Sequence, residues 1–283
     1  MHDWTLKGAG EQLIRGSVDR PGGEPECVIL FGHGFKGYKD YGFIPVLGDR
    51  LAQAGCLVHR FNFSHSGMGE GIETFEHPKL FEEDTWNKQV EDLTILLRAV
   101  RHGDLPDTPT DLPIVLLGHS RGGVSCLLTA GRMFRDGAEP TPAAVCTMST
   151  PHEACSLGSG DQKALLAEGR LRSPSARTGQ DLYVGQAWLR EQIEQPEEHH
   201  VVELCGYITA PVLAVHGKLD PTVPYHSADR IAGACPDGAS ALIDGADHVY
   251  NTKNPAAVAA APSPELATLI EQVREFINEK ARV

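Results

Sequence analysis

The chain has 283 residues, of which 41% are hydrophobic and 22% are charged, a composition typical of a soluble globular protein with a sizeable core. Its 38 acidic residues outnumber its 25 basic residues and give a formal net charge of −13, which argues against a basic nucleic-acid-binding surface. No apolar run approaches the ~20 residues that a membrane span needs. The polar start, MHDWTLKGAGEQLIRG, lacks the order of a signal peptide, and seven scattered cysteines form no C-x-x-C pair. We therefore expect a cytoplasmic protein with free thiols, no membrane contact and an oligomeric state that the sequence does not indicate.

The hydrophobic pattern predicts strands and helices that alternate along most of the chain. Two short strands broken by Gly8 and Gly10 come first, and the continuous apolar strand CVILFGHG follows them. The next predicted elements are a helix PVLGDRLAQAG, a strand CLVHRFNF, a helix FEEDTWNKQVEDLTILLRAVRH, a strand PIVLLGHS, a helix GGVSCLLTAGRMF and a strand AAVCTMST. Such alternation predicts an α/β fold with a mostly parallel central sheet and helices on both faces.

The alternation is interrupted between about residues 151 and 209. This stretch has helical pieces near 162–167 and 180–195 but no clear strand. The pattern then resumes with a strand APVLAVHG, a helix near 226–234, a strand SALIDGADH and a final helix PELATLIEQVREFINEKA. We therefore predict one α/β core built from residues 1–150 and 210–283, with a small helical cap, residues 151–209, inserted late in the chain.

Polar residues directly after the predicted strands are the candidates for function, because ligands of such sheets bind beyond the carboxyl ends of the strands. Ser120 lies in GHSRGG, where a serine between small residues on a sharp strand-to-helix turn would present its hydroxyl above the sheet. Asp220 follows the strand APVLAVHG and His248 follows the strand after that. Ser, Asp and His in this chain order are typical of a catalytic triad on this kind of sheet.

Several segments make the chain resemble the α/β-hydrolase superfamily over about residues 4–280. They are HGF (33–35), HRFNFSHSGMGEG (59–71), GHSRGG (118–123), HGKLDPTVP (216–224) and GADHVY (245–250). The resemblance is strongest to bacterial carboxylesterases of the feruloyl and cinnamoyl esterase kind. The chain departs from them at Asn62, where such esterases often carry Asp, and in the glycine spacing of the loop that follows. The resemblance implies the α/β-hydrolase fold and cleavage of a small carboxylic ester.

The chemistry assigns the roles. A serine hydroxyl needs an adjacent base, so Ser120 is the expected nucleophile and His248 the expected base, with Asp220 orienting the imidazole. The oxyanion needs preorganised donors, for which we expect the backbone N–H groups of Phe35 and Arg121. No cofactor and no metal is implied, and the expected partner is a small-molecule ester.

Other interpretations stay open from the sequence alone. Ser120 could be only a turn residue, Asp220 a turn cap and His248 a structural histidine, and Asp244 and Asp247 are rivals for the acid. Tyr183, Trp188 and Arg177 are candidate substrate-binding residues; Trp188 could equally pack the cap onto the core, and Arg177 could form a loop ion pair. The same triad would also suit a peptidase or amidase, and the fold could serve a non-catalytic protein that binds a small ligand or a protein partner.

Overall fold

The computed structural model describes residues 2–282, apart from the side chain of His2, and has an eight-stranded central sheet. The order of the strands across this sheet is β1-β2-β4-β3-β5-β6-β9-β10. Strand β2 runs antiparallel to both of its neighbours and the other pairs are parallel, so the predicted mostly parallel sheet is confirmed. The strands of the sheet are β1 (His2–Lys7), β2 (Leu13–Asp19), β3 (Cys27–Gly32), β4 (Cys56–Asn62), β5 (Ile114–His119), β6 (Ala144–Met148), β9 (Val212–Gly217) and β10 (Gly238–Ile243).

Helices cover both faces of this sheet. Successive side chains of a strand point to opposite faces, and in β3 Val28 and Leu30 join one hydrophobic core while Ile29 and Phe31 join the other. The first core is closed by α3, α4 and α8 among others, and the second by α1 and α10. The helices are α1 (Ile44–Gln53), α2 (Pro78–Glu82), α3 (Trp86–His102), α4 (Arg121–Asp136), α5 (Ser159–Glu168), α6 (Ala187–Glu194), α7 (Pro196–His199), α8 (Val201–Cys205), α9 (His226–Ala234) and α10 (Pro264–Lys280).

Two predicted elements differ in the structure. The single helix expected from Phe81 to His102 is two helices, because the Thr85 side chain accepts a hydrogen bond from the Lys88 N–H and so begins α3 at Trp86. The cap is not purely helical: β7 (Arg170–Arg172) and β8 (Tyr183–Gly185) form an antiparallel hairpin. Three-residue strands are too short to give a period-two pattern, which is why the sequence did not reveal them.

The cap segment shares one hydrophobic core with the sheet. Leu165, Trp188 and Leu204 belong to the same buried cluster as Leu116 of β5. The division into a core and a late insertion, residues 151–209, stays a prediction, and the structure packs this segment directly on the sheet.

The strand register brings the candidate residues to one edge. Gly118 of β5 lies opposite Gly32 of β3 and Thr147 of β6, and Met148 lies opposite Val215 of β9. The carboxyl ends of these four strands therefore meet, and the loops after them converge there.

Within residues 2–282 no helix is both long and apolar enough to cross a membrane. All seven cysteines are free, and every one except the half-buried Cys155 is buried.

Candidate active site

Ser120 sits on a strained turn between β5 and α4. Its φ of 52° and ψ of −119° are unusual for a residue with a side chain, and such strain is characteristic of functional sites. The glycines make the turn possible: a Cβ on Gly118 would lie 2.5 Å from the Gly122 carbonyl oxygen, and one on Gly122 would lie 2.5 Å from the Gly32 carbonyl oxygen. The Ser120 N–H donates to the Met148 carbonyl at 2.8 Å, which ties the turn to the neighbouring strand. The nearby glycines therefore permit the turn that places Ser120 at the carboxyl edge of the sheet.

Asp220 is a buried carboxylate with four hydrogen-bond donors around it. The backbone N–H groups of Thr222 and Val223 donate to Oδ1 at 2.8 and 2.9 Å. Oδ2 accepts from Nδ1 of His248 at 2.7 Å and from Nε2 of His216 at 3.0 Å. Burial alone would raise the pKa of Asp220, but the hydrogen bonds from the two histidines, the charge of His248 and the backbone donor lower it well below its usual range. The carboxylate is thus held ionised with its two oxygens in fixed orientations.

The sequence analysis did not single out His216, although its signal was present. It lies in the buried strand β9, four residues before Asp220, where a histidine interrupts an apolar run. Its Nε2 lies within hydrogen-bonding distance of two acceptors, Asp220 Oδ2 at 3.0 Å and the Val223 carbonyl at 3.1 Å. Nε2 must therefore carry the proton, and His216 is a second imidazole donor to the acid.

The two rival carboxylates take other partners. Asp247 caps a turn, because its Oδ1 accepts from the backbone N–H groups of Val249 and Asn251 at 2.9 and 2.7 Å. Asp244 is exposed and pairs with Lys218 at 2.7 Å. The structure thus brings Asp220, and neither rival, to the His248 ring.

His248 and His119 stand side by side at the carboxyl edge. Their ring centroids are 4.9 Å apart, and Nε2 of His119 donates to the His248 carbonyl oxygen at 2.9 Å. Burial, with a smaller contribution from His248, lowers the pKa of His119 to about 3, so its ring is neutral and serves as a hydrogen-bond donor. No hydrogen bond joins the Ser120 hydroxyl to His248 among the described residues, but both side chains line the same cavity.

The expected oxyanion loop follows β3. Phe35 lines the cavity and lies directly after Gly34, and its N–H has no acceptor within residues 2–282. Arg121 is the first residue of α4, where a backbone N–H has no intrahelical acceptor. His33 anchors the loop: its Nδ1 donates to the Gly34 carbonyl at 2.8 Å, and burial lowers its pKa to about 4. Both expected donors therefore remain free at the serine.

The Arg121 side chain contacts Trp86 and Asp84 and is not part of the lining of the cavity at Ser120. Its guanidinium lies 4.5 Å from the Trp86 ring centroid, and Nη2 lies 3.0 Å from Asp84 Oδ2 without the alignment of a hydrogen bond. Burial raises the pKa of Asp84 to about 6, an effect that the opposing charge of Arg121 reduces. The positive charge of Arg121, next to Ser120 in sequence, therefore faces a carboxylate.

A cavity of about 310 Å³ opens at Ser120 and His248. The tip of the cap hairpin covers it, through Pro174, Ser175, Ala176 and Arg177. The Gln180 side chain fastens this tip to the loop after β4, donating to the Phe75 carbonyl at 3.0 Å and accepting from the Phe75 N–H at 2.8 Å. The cavity is at the small end of the range for ligand pockets, which suits a small substrate.

Of the three candidate substrate-binding residues, only Arg177 lines this cavity. Arg177 forms no ion pair within the part of the chain that the structure describes. Tyr183 lies in β8 with its ring 4.2 Å from the Arg170 guanidinium and is not part of the lining. Trp188 is 6% exposed and packs against Trp86 with ring centroids 6.3 Å apart, so it joins the cap to the core. The hairpin tip, and not α6, covers this cavity, so the structure places neither Tyr183 nor Trp188 in its lining, and their role in substrate binding stays a prediction.

No group of three or more His, Cys, Asp or Glu side chains that could hold a metal ion occurs in the part of the chain that the structure describes. The expectation that neither a metal nor a cofactor takes part remains a prediction.

Comparison with solved structures gives full-length similarity at low identity. Est1E from Butyrivibrio proteoclasticus with ferulic acid bound superposes with a TM-score of 0.67 at 22% identity, covering 97% of this chain and 98% of that one. The esterase domain of a Rhodothermus marinus protein gives a TM-score of 0.63 at 20% identity, covering 98% of each chain. A puromycin-hydrolyzing peptidase of Mycobacterium tuberculosis gives 0.65 at 16% identity, covering 99% of this chain and 39% of that one. These similarities concern the fold.

A search of curated proteins found no match. The profile described as "Alpha/beta hydrolase family" matches residues 29–261, which include Ser120, Asp220 and His248. The strand order, the position of the strained serine and this match agree with one another, and the chain belongs to the alpha/beta hydrolase family.

Proposed function

We propose that the protein is a serine hydrolase that cleaves a small carboxylic ester through an acyl-serine intermediate. One observation carries the proposal: Ser120, on its strained turn, shares a cavity with His248, whose Nδ1 donates to the buried Asp220 carboxylate at 2.7 Å. That donation fixes the tautomer in which Nε2 of His248 is free to accept a proton. The esterases with which the chain superposes agree with this chemistry.

The reaction follows from these positions. Ser120 Oγ attacks the ester carbonyl carbon while Nε2 of His248 takes the hydroxyl proton, and the N–H groups of Phe35 and Arg121 stabilise the oxyanion. The bond to the alkoxy oxygen then breaks, and His248 returns the proton to the leaving alcohol. Water then attacks the acyl carbon while His248 takes one of its protons. The bond between the acyl carbon and Ser120 Oγ breaks, the acid leaves, and His248 returns the proton to Oγ. In such sites the hydrogen bond between nucleophile and base commonly becomes short only when substrate is bound, and we expect the same of Ser120 Oγ and His248 Nε2.

A labelling experiment tests the nucleophile. A fluorophosphonate probe should modify Ser120, and Ser175, which lines the same cavity, should stay unmodified when the labelled peptide is mapped by mass spectrometry. Ser120→Ala should lose turnover of p-nitrophenyl esters while keeping its unfolding midpoint, because one hydroxyl at a turn contributes little packing. Labelling of Ser175, or full activity of Ser120→Ala, would refute the assignment.

Matched amides separate the esterase from the amidase. The puromycin-hydrolyzing peptidase shares the fold, so p-nitroanilides with the acyl groups of the tested esters belong in the same assay. We expect ester turnover to exceed anilide turnover. The reverse ranking would assign the site to amides, and no turnover of either class together with an unreactive Ser120 would favour a non-catalytic member of the family.

A further inference from the structure

The charged residues around the Ser120 cavity all have the same sign. Lys36 and Arg177 line it, together with the triad histidine and its neighbour, and no Asp or Glu is among the lining residues. This contrasts with the whole chain, in which acidic residues exceed basic ones, 38 against 25. A small cavity lined by one sign of charge concentrates a ligand of the opposite sign.

Neither cation is neutralised by a carboxylate. Nζ of Lys36 donates to the Pro174 carbonyl at 2.8 Å, and Nη1 of Arg177 donates to the Ile72 carbonyl. Neither side chain forms an ion pair within residues 2–282, whereas Arg60, which is fully buried, contacts two carboxylates. A carbonyl acceptor orients a cation but leaves its charge uncompensated. Lys36 and Arg177 therefore retain both net charge and further N–H donors.

The Arg177 guanidinium is also held in place. It lies over the rings of Tyr38 and Phe75, at 4.8 and 5.1 Å from their centroids, and its Nη2 contacts Met68 Sδ at 3.6 Å. A guanidinium fixed between aromatic rings loses little freedom when it binds a carboxylate. Lys36 directly follows Phe35 in the loop after β3, whereas Arg177 lies at the hairpin tip, so the two cations approach the cavity from different loops. Burial lowers the pKa of Lys36. An anionic ligand would offset the free-energy cost of burying the charged Lys36 side chain.

We propose that the substrate is an ester that also carries a carboxylate, and that Lys36 and Arg177 bind this carboxylate while the ester carbonyl lies at Ser120. The half-ester of a short dicarboxylic acid fits this description and the size of the cavity. This inference rests on the proposed ester hydrolysis. The alternative is that the two cations only fasten the hairpin tip to the core through their carbonyl contacts.

The test compares two esters that differ in one charge. The probes are p-nitrophenyl hydrogen glutarate, which has a free carboxylate, and p-nitrophenyl pentanoate, which is a neutral ester of similar length. For the wild type we expect kcat/KM to be about tenfold higher for the anionic ester, and this ratio to fall about tenfold in Lys36→Met and in Arg177→Met, mainly through KM. Arg190→Gln, which removes an exposed cation bonded to Gln186 in the cap, should keep the wild-type ratio.

Each outcome decides a different point. A wild-type ratio near one, or variants that slow both esters by the same factor, would overturn the carboxylate site and leave the cations as tethers. If neither ester is turned over, calorimetric titration of monoethyl glutarate into Ser120→Ala still tests the inference. Binding that is lost in the Ser120→Ala, Arg177→Met double variant would support the carboxylate site, and no binding would overturn it. Failure of ester hydrolysis with an unreactive Ser120 would count against the proposed function alone.

Discussion

The replacement Asp220→Asn tests the triad most directly, because the structure fixes the orientation of the new amide. Thr222 and Val223 present two N–H groups to the position of Oδ1, so the amide oxygen must lie there. The NH₂ group then occupies the position of Oδ2 and faces the imidazoles of His248 and His216. The opposite orientation would set the NH₂ group against two backbone donors and lose both hydrogen bonds.

This orientation reverses the tautomer of the base. The NH₂ group can only donate to Nδ1 of His248, so the ring proton moves to Nε2, which then cannot accept the proton of Ser120. The expected loss in kcat is about 10⁴-fold, corresponding to about 5 kcal/mol of transition-state stabilisation. The His216 donor meets the same NH₂ group, so we also expect a loss of stability of about 1–3 kcal/mol.

The assay is the steady-state hydrolysis of p-nitrophenyl acetate at about pH 7.5, with urea unfolding to confirm that the variant is folded. The matched control is Asp247→Asn, in which the amide oxygen can still accept from Val249 and Asn251, and which should change kcat/KM by less than about threefold. The reasoning would be refuted if folded Asp220→Asn kept more than a tenth of the activity. The reasoning would also be refuted if Asp247→Asn lowered kcat/KM more than Asp220→Asn does.

Three further predictions follow from buried contacts. His216→Phe removes one donor to Asp220 and should lower kcat/KM about tenfold, with partial recovery in His216→Gln, whose amide reaches the position of Nε2; equal losses in the two variants would indicate packing alone. Trp188→Ala should lower the free energy of unfolding by about 3–5 kcal/mol in a urea titration without changing the ratio of kcat/KM among acyl esters, because the ring packs on Trp86 outside the cavity; a changed ratio would place Trp188 at the substrate. Burial lowers the pKa of His59 to about 3, below the value of about 6.5 in the unfolded state. Between these two pH values the unfolded state binds one more proton than the folded state. The free energy of unfolding therefore falls by about 1.4 kcal/mol for each pH unit of acidification through this range. His59→Gln should reduce that slope in urea titrations at about pH 7, 6 and 5, and an unchanged slope would contradict the reasoning.

The sequence indicates the fold because its signals are long and local. Strands β3 and β5 are largely continuous apolar runs, and the residues that follow the parallel strands must meet at one edge. Ser120, Asp220 and His248 could be assigned for the same reason, since the chain order of strand ends determines which polar residues converge. These predictions needed no knowledge of side-chain contacts.

The cavity walls were harder to predict because their contacts are distant in sequence and their elements are short. Lys36 meets Pro174 across 138 positions, and no pattern near either residue indicates the pairing. The hairpin that carries Pro174 consists of two three-residue strands, which give no sequence signal, so the sequence leaves open whether Trp188 contacts a substrate or packs the cap onto the core. Aromatic residues in an insertion do not distinguish a pocket wall from a packing face, and the 6% exposure of Trp188 decides for packing.

Three imidazoles stand close to Ser120, and their surroundings explain why only one of them suits a base. Burial lowers the pKa of His33 to about 4 and that of His119 to about 3, and each ring uses an N–H to hold a backbone carbonyl. Neither ring donates a hydrogen bond to a carboxylate, so a positive charge on it would be buried without a hydrogen-bonded counter-charge. His248 alone of the three contacts a carboxylate, which is itself held ionised by three other donors. In the proposed mechanism the imidazolium is therefore stabilised at His248 and not at His33 or His119, and neither of these two rings competes for the proton of Ser120.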